Sequence, residues 1–490
     1  MRWAAVAAAL ALLATATAVA GDRPGLEPTD PLAPTQWYLE RTRALAAWTT
    51  LPPLAPVRVA VIDSGVDLGH PDLAGRIVAA KSFVGGGAKD TRGHGTVVAG
   101  VIAAQLDNGI GIAGLAPSAQ LVVAKVVDDE GSISVRAEAR AIRWAVAQGA
   151  RIVSMSLSGV RDPQDSTRDT FSRLEAAAIR YAVSRGVLVV AAVGNGDQAP
   201  RQPWPYAGYP AALPHVLGVS ALGRHGAAPG FSNRDPLYND LAAPGEAIAS
   251  TFPRALTSTR RACPEQGYTR CANDDFRRPE GTSFAAPQVA AVAANLIATR
   301  PSLRPEQVAA LLTRSARDAS AATGCTICPP GRDAFTGWGE LDGAAALDAL
   351  VVGPLPPPDA NEPNDDAGLD AYPLYFAPGR TSRGTRATLD YWDDGDDVYA
   401  VHLTRGDRLY ASLGAPAGSG DFQLAIWRPG TTSITEPGGR ERPVVASTAA
   451  GARQRLAWTA LQTGRHYLHA RLATKAGPVG YRLSIVRASG

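Results

Sequence analysis

The sequence predicts an α/β three-layer sandwich on a mainly parallel sheet, followed by a small antiparallel β-sandwich. Three observations point there. Over residues 37–350, short β-branched runs alternate with alanine-rich helical stretches. Strands alternating with helices imply a parallel sheet covered on both faces. The string Gly353-Pro354-Leu355-Pro356-Pro357-Pro358 then interrupts the chain as a stiff, extended spacer. Beyond it the apolar period drops to two, with turn residues between the runs, as a small antiparallel sandwich requires.

Taken in order, the chain opens on Arg2, an apolar run over 3–19, and Ala18-Val19-Ala20 before Gly21. These are the charge, apolar core and small-x-small site of a secretory signal. Residues 1–20 are therefore expected to be a signal peptide, and the protein to be secreted, extracellular or periplasmic. A membrane anchor is the competing reading; the alanine content and the cleavage site stand against it. No later segment is apolar enough to span a bilayer, so no membrane insertion is expected after cleavage. Residues 57–62, 121–127, 152–157, 187–193 and 216–219 read as buried strands, and 137–148, 174–184 and 283–298 as helices. They place a first domain over 21–350. The proline linker covers 351–358, and a second domain covers 359–490. There, residues 399–403, 409–413, 422–426 and 481–485 alternate in period two, with Arg405-Gly406-Asp407 as a turn.

Charge removes one class of partner. The 48 basic and 45 acidic residues leave only +3 on 490 residues, so no nucleic acid is expected. The cysteines are Cys263, Cys271, Cys325 and Cys328, an even number that favours two disulfides in an exported chain. Three pairings are open, with local pairing of Cys263 with Cys271 and Cys325 with Cys328 preferred. A four-thiolate zinc site is the competing reading.

Three strings carry the chemistry: Val61-Ile62-Asp63-Ser64-Gly65, Gly93-His94-Gly95-Thr96 and Gly281-Thr282-Ser283-Phe284-Ala285-Ala286-Pro287. A serine hydroxyl is a poor nucleophile until a base takes its proton. Histidine is the base suited to near-neutral pH. A buried carboxylate fixes the imidazole tautomer and stabilises the imidazolium. The strings supply Asp63, His94 and Ser283 in that order, one of several orders in which such a triad occurs. Asp63 closes a β-run, and strand ends in such sheets gather at the active-site edge. His94 and Ser283 each open a helical stretch, with Pro287 expected in the first turn.

These strings and their order resemble the subtilisin family of serine peptidases (subtilases), in the style of its thermitase-like secreted members, over about residues 30–350. The resemblance implies a subtilisin-like fold, serine-type endopeptidase activity on protein or peptide substrates, and Asp63, His94 and Ser283 as the triad. It places Ala191-Ala192-Val193-Gly194-Asn195 at the oxyanion segment, with the Asn195 amide and the Ser283 N–H as donors. An extended substrate is implied to pair with two backbone edges, Ser156-Leu157-Ser158-Gly159 and Gly131-Ser132-Ile133. Ser158 and Ile133 stand where the family usually has glycine, and Val97 and Gln288 where it commonly has histidine. The resemblance also implies one calcium site. Asp30, Asp72 and Asn108 match its side-chain ligands, and Gln105, Ile110 and Ile112 its carbonyl ligands, a donor set that suits calcium's preference for oxygen.

Only a short stretch separates Gly21 from Trp37, so no large propeptide is expected, and the protein is expected to be a monomer. Asp359-Ala360-Asn361-Glu362-Pro363-Asn364-Asp365 and Gly395-Asp396-Asp397-Val398-Tyr399 resemble the bacterial pre-peptidase C-terminal domain. That implies secretion, attachment to substrate surfaces, or removal on maturation. The run Asp393-Asp394-Gly395-Asp396-Asp397 reads equally as a calcium loop or a solvated turn. Two other functions stay open at this point: an inactive subtilisin-like binding scaffold, and a non-peptidase serine hydrolase using the same site.

Overall fold

A computed structural model describes residues 25–197, 199–257, 271–273, 276–352, 371–389, 395–432, 442–474 and 479–489, with 355, 361, 364–368 and 434. The expected signal peptide, Cys263, most of the proline linker, and Asp393 and Asp394 lie outside the described residues.

Seven parallel strands form the central sheet. They are β1 Val57–Asp63, β2 Ile77–Ser82, β3 Ala119–Lys125, β4 Ile152–Met155, β5 Leu188–Ala192, β6 Val216–Leu222 and β7 Leu241–Pro244. Their spatial order is β2-β3-β1-β4-β5-β6-β7. The helices are α1 Trp37–Thr42, α2 His94–Ala103, α3 Val135–Ala147, α4 Arg173–Ser184, α5 Arg254–Thr257, α6 Thr282–Thr299, α7 Pro305–Ser315 and α8 Gly343–Val352. Val59, Val61, Leu121 and Val123 join one core with α2 and α6. Their strand neighbours Ala60, Ile62, Val122 and Ala124 join the opposite core with α3 and α4. Burial on both faces is why these strands are apolar without alternation. The helix α6 is buried almost all round, so it reads as apolar on every side.

Each expected strand and helix is present, with ends moved by a few residues; residues 121–127 became Ala119–Lys125, for example. Two sheet members were not anticipated. β2 is an edge strand that is only half-buried, and β7 is four residues ending in a proline. The helix α8 runs to Val352, two residues into the stretch expected as linker. A small sheet of β8 Ser250–Thr251, β9 Cys271–Asn273 and β10 Phe276–Arg277 lies outside the main one. Cys325 and Cys328 form a disulfide, as preferred; Cys271 is in β9, but its expected partner is outside the described residues.

The C-terminal strands are β11 Tyr372–Pro373, β12 Ser382–Leu389, β13 Asp396–Leu403, β14 Arg408–Gly414, β15 Phe422–Trp427, β16 Val445–Ser447, β17 Arg453–Thr459, β18 Gly464–Leu472 and β19 Val479–Ala488. They build two sheets, β11-β13-β18-β15-β16 and β12-β19-β14-β17. Among the described residues, all pairings are antiparallel except β11 with β13. Leu409, Leu413 and Leu483 of one sheet pack on Val401, Leu424 and Leu468 of the other, a sandwich core of its own. Among the described residues, no helix is long and apolar enough to cross a membrane.

Candidate active site

Asp63 ends β1, and His94 starts α2. His94 Nδ1–H donates to Asp63 Oδ1 at 2.8 Å, and the Ser64 N–H donates to the same oxygen at 2.7 Å. The Asp63 side chain is 1% exposed and the imidazole 33%, so the acid is enclosed while the base keeps a face to the cleft. With Nδ1 committed to Asp63, Nε2 is the basic nitrogen. The protein packed around the ring disfavours the imidazolium. The Asp63 charge and hydrogen bond, with the Asp90 charge, outweigh that and hold the His94 pKa above its ordinary 6.5. The ring packs 5.2 Å from Phe284.

Sequence reasoning missed Asp90. It is fully buried and accepts from the Ser64 hydroxyl (2.8 Å), the Arg92, Gly93 and Thr96 N–H groups (2.9, 2.8 and 2.9 Å) and the Thr96 hydroxyl (2.6 Å). Burial raises its pKa; these bonds oppose that. Asp90 thereby ties the end of β1 to the start of α2, which fixes His94 against Asp63. An acid four residues before His94, at a helix start, was the available signal. Close approach also needs Gly95: a Cβ there would lie 2.1 Å from the Gly65 carbonyl oxygen and 3.1 Å from Asp63.

Ser283 is the second residue of α6. Its Oγ–H donates to the Ser156 carbonyl at 3.1 Å, and Ser156 Oγ–H donates to the Ser283 carbonyl at 2.7 Å. His94 and Ser283 line one cleft of about 260 Å³, without a hydrogen bond between them among the described residues. Such contacts often tighten only when substrate is bound. Pro287 is not in the first turn but is the sixth residue of α6. It lacks the N–H that the Ser283 carbonyl would otherwise accept, and the Ser156 hydroxyl takes that place.

Asn195 follows β5 and lines the cleft. Its Oδ1 accepts from the Thr282 N–H and the Thr282 hydroxyl, both at 2.9 Å. This network assigns the amide orientation and leaves the NH2 end for a ligand. Ser283 N–H belongs to the first turn of α6, where no acceptor exists one turn back.

Ser156, Leu157, Ser158, Gly131 and Ile133 all line the cleft. Ile133 is 42% exposed. Gly159 also lines it, but its N–H and carbonyl pair with Tyr209 at 2.8 and 3.2 Å. Ser132 is outside the lining. Its N–H donates to Asp128 Oδ1 at 2.7 Å and its carbonyl accepts from the Asp128 N–H at 3.0 Å, so a closed turn has used both groups. Val97 and Gln288 are buried packing positions; Gln288 Nε2 donates to the Pro244 and Phe284 carbonyls.

The expected calcium ligands gather elsewhere. Asp30 and Asp72 are buried. Asp30 accepts from the Asp107 and Asn108 N–H groups at 2.9 and 3.0 Å. Asp72 accepts from Asn108 Nδ2 and the Ile112 N–H, both at 3.0 Å, and Asn108 Oδ1 accepts from the Ile110 N–H at 2.9 Å. Gly111 has φ +60°, and a Cβ there would lie 2.2 Å from Asp72 Oδ2, so the loop crosses directly over this carboxylate. Gln105 N–H donates to the Asp72 carbonyl at 2.8 Å, and its side chain to the Ala74 carbonyl. Burial, with repulsion from Asp30, lifts the Asp72 pKa to about 6 against its hydrogen bonds; burial raises Asp30 likewise.

The sequence matches the subtilase family over residues 55–339, a span that contains Asp63, His94, Asn195 and Ser283. Thermitase of Thermoactinomyces vulgaris is 34% identical over 273 residues, covering 54% of this chain and 84% of that protein. Subtilisin DY of Bacillus licheniformis is 33% identical over 264 residues, with 54% and 84% covered. A solved structure of a protease from Pseudoalteromonas arctica has 27% identity and a TM-score of 0.52, covering 66% of this chain and 99% of that one. With the family matched over more than half its length, the chain belongs to the subtilases and is a serine-type endopeptidase.

Proposed function

We propose that the protein is a secreted serine endopeptidase that works through an acyl-enzyme, with Asp63, His94, Ser283 and Asn195 as its catalytic set. Ser283 Oγ attacks the scissile carbonyl carbon while His94 Nε2 takes the hydroxyl proton. His94 then returns that proton to the leaving amine as the C–N bond breaks. Water, deprotonated by the same nitrogen, hydrolyses the ester. Asp63 holds the imidazole and stabilises its cation. The Asn195 NH2 and Ser283 N–H receive the oxyanion. One observation carries the reading: an Asp63-oriented imidazole shares a cleft with Ser283 and with an amide whose oxygen end Thr282 has already fixed.

Labelling by a fluorophosphonate together with casein cleavage tests it. Absence of labelling favours the inactive scaffold. Labelling with ester turnover but intact casein favours a non-peptidase hydrolase. Asn195→Ala is expected to lower kcat roughly 100- to 1000-fold, the usual cost of one oxyanion donor in a serine peptidase, with KM changed only a few-fold. A large rise in KM at constant kcat would instead assign Asn195 to ground-state binding.

The Asp30, Asp72 and Asn108 cluster is proposed as the calcium site, and its chemistry fits. Two buried carboxylates with raised pKa values and no ion pair among the described residues gain from a hard dication. A bound ion would stabilise the fold and take no part in the acyl transfer. Removing calcium with EDTA is expected to lower Tm by about 5 °C or more, given roughly 2.7 kcal/mol at hundred-fold saturation. An unchanged Tm sinks this assignment. The sandwich over 359–490 is proposed as a separate domain, supported by its own core, and secretion rests on the N-terminal pattern.

A further inference from the structure

The helices α3 and α4 pack side by side over one face of the sheet. Each buries its only carboxylate, Glu138 and Glu175 respectively. Their exposed charges are all positive: Arg136, Arg140 and Arg143 on α3, and Arg173 and Arg185 at the two ends of α4. None of these five forms an ion pair among the described residues. Instead Arg140 lies over the Phe83 ring at 5.7 Å, and Arg143 and Arg185 lie over Tyr181 at 4.8 and 5.3 Å. Such stacking fixes a guanidinium without neutralising it.

The basic field continues past the helix ends. Arg58 donates to the Gln148 carbonyl at the end of α3, a partner that leaves its cationic charge uncompensated. Because the strands are parallel, Arg58, Arg151 and Arg185 all fall at the end opposite Asp63. The carboxylates Asp128, Asp129 and Glu130 follow β3 at the other end, beside the cleft. Arg136 and Arg140 are i,i+4 neighbours and Arg140 and Arg143 are i,i+3, spacings at which like charges destabilise a helix. In a chain of near-zero net charge, this segregation is a local feature and not a consequence of composition. Arg180 is left out of the surface, because it lies near His215, which pairs with Asp365.

We propose that the α3–α4 face is a docking surface for an anionic phospholipid membrane. Two packed helices present a broad face, which suits a planar array of phosphates better than a single threaded polymer. At its cleft-side rim Phe171 and Leu174 are 51% and 56% exposed, placed to enter the headgroup layer beside Arg173. Adsorbed by this face, the enzyme keeps its cleft open at the neighbouring edge of the sheet. The attachment is electrostatic and peripheral, so it weakens with salt.

Co-sedimentation of the full chain with vesicles tests this. Phosphatidylcholine vesicles with roughly 30% phosphatidylglycerol are expected to bind at low salt and release by about 500 mM NaCl, while pure phosphatidylcholine binds little. The triple variant Arg136→Gln, Arg140→Gln, Arg143→Gln should lose on the order of 100-fold in vesicle affinity. Its kcat/KM on a soluble peptide should stay unchanged, which also verifies folding. A control with the same charge change on the C-terminal sandwich, Arg383→Gln, Arg386→Gln, Arg455→Gln, should bind as the parent does. A single Arg143→Glu provides a milder second probe, with an intermediate loss. Four results would each overturn the proposal: no binding to anionic vesicles, full binding by the α3 triple variant, equal loss in both triples, or binding to heparin but not to vesicles.

Discussion

Ser283→Ala is expected to lower kcat by on the order of a million-fold, the usual size for removing the nucleophile of a serine peptidase triad, with KM close to the parent value. Among the described residues, the other serines that line the cleft are engaged: Ser64 Oγ donates to Asp90 at 2.8 Å. Ser156 Oγ is committed to the Ser283 carbonyl at 2.7 Å, and Ser158 Oγ points to the Gly159 carbonyl at 3.3 Å. The loss is confined to chemistry, because among the described residues the Ser283 hydroxyl donates its hydrogen bond to the Ser156 carbonyl alone. One neutral hydrogen bond of this kind contributes about 1 kcal/mol, so Tm should move by only a few degrees. Burst kinetics with a chromogenic ester and fluorophosphonate labelling should both vanish. Residual turnover of about a thousandfold over water is still expected from the oxyanion donors and binding. Retention of more than roughly one per cent of kcat would place the nucleophile elsewhere.

The legible parts of the fold were those where burial simplifies the sequence. β1 is apolar at consecutive positions because Val59 and Val61 face one core while Ala60 and Ile62 face the other. β2 alternates between half-buried and exposed residues at the sheet edge, and β18 carries Arg465, His466, His469 and Arg471, so neither offers a continuous run. The side chains proposed as catalytic were legible because each sits in a short string whose neighbours also have backbone duties. The residues that hold them were not. Asp90 acts through Ser64, Thr96 and three backbone donors, and Thr282 acts on a side chain 87 positions away. Thr282 and Asn195 are far apart in the chain and leave no local pattern, whereas most of Asp90's partners lie within six residues, at the start of α2. At Ser132, Asp128 closes the turn and uses both backbone groups, a pairing that the string Gly131-Ser132-Ile133 does not show. Pro287 was misplaced because, even counted from Ser283, it is the fifth helical residue and so lies past the first turn of about 3.6 residues. Thr282 opens α6, with its N–H satisfied by Asn195.

Asp63→Asn is expected to lower kcat by on the order of 10,000-fold at neutral pH and to move the acid limb of the kcat/KM profile downward. Both effects come from one oxygen. Asp63 Oδ1 serves His94 and the Ser64 N–H together, while Oδ2 is buried with no hydrogen-bond partner among the described residues. An asparagine that keeps its oxygen on His94 and Ser64 buries an NH2 where nothing accepts it. Turned the other way, its NH2 faces Nδ1, the Ser64 N–H loses its acceptor, and the proton on the imidazole is driven to Nε2, the nitrogen that must be free. In either orientation the charge that stabilises the imidazolium is gone. That charge and its hydrogen bond, with a contribution from Asp90, are what hold His94 above 6.5 against the surrounding protein. The base works only when neutral, so in the parent enzyme activity falls as pH drops through a raised pKa. In the variant the same fall should begin at lower pH. Linkage has the matching sign: a His pKa raised by folding contributes stability that is present below about pH 6.5 and is lost as pH rises through the folded value. The variant should therefore lose more Tm at about pH 5.5 than at about pH 8.5. A pH-rate profile and melts at those two pH values measure this directly. An acid limb that stays where the parent's lies would show that Asp63 does not set the His94 pKa.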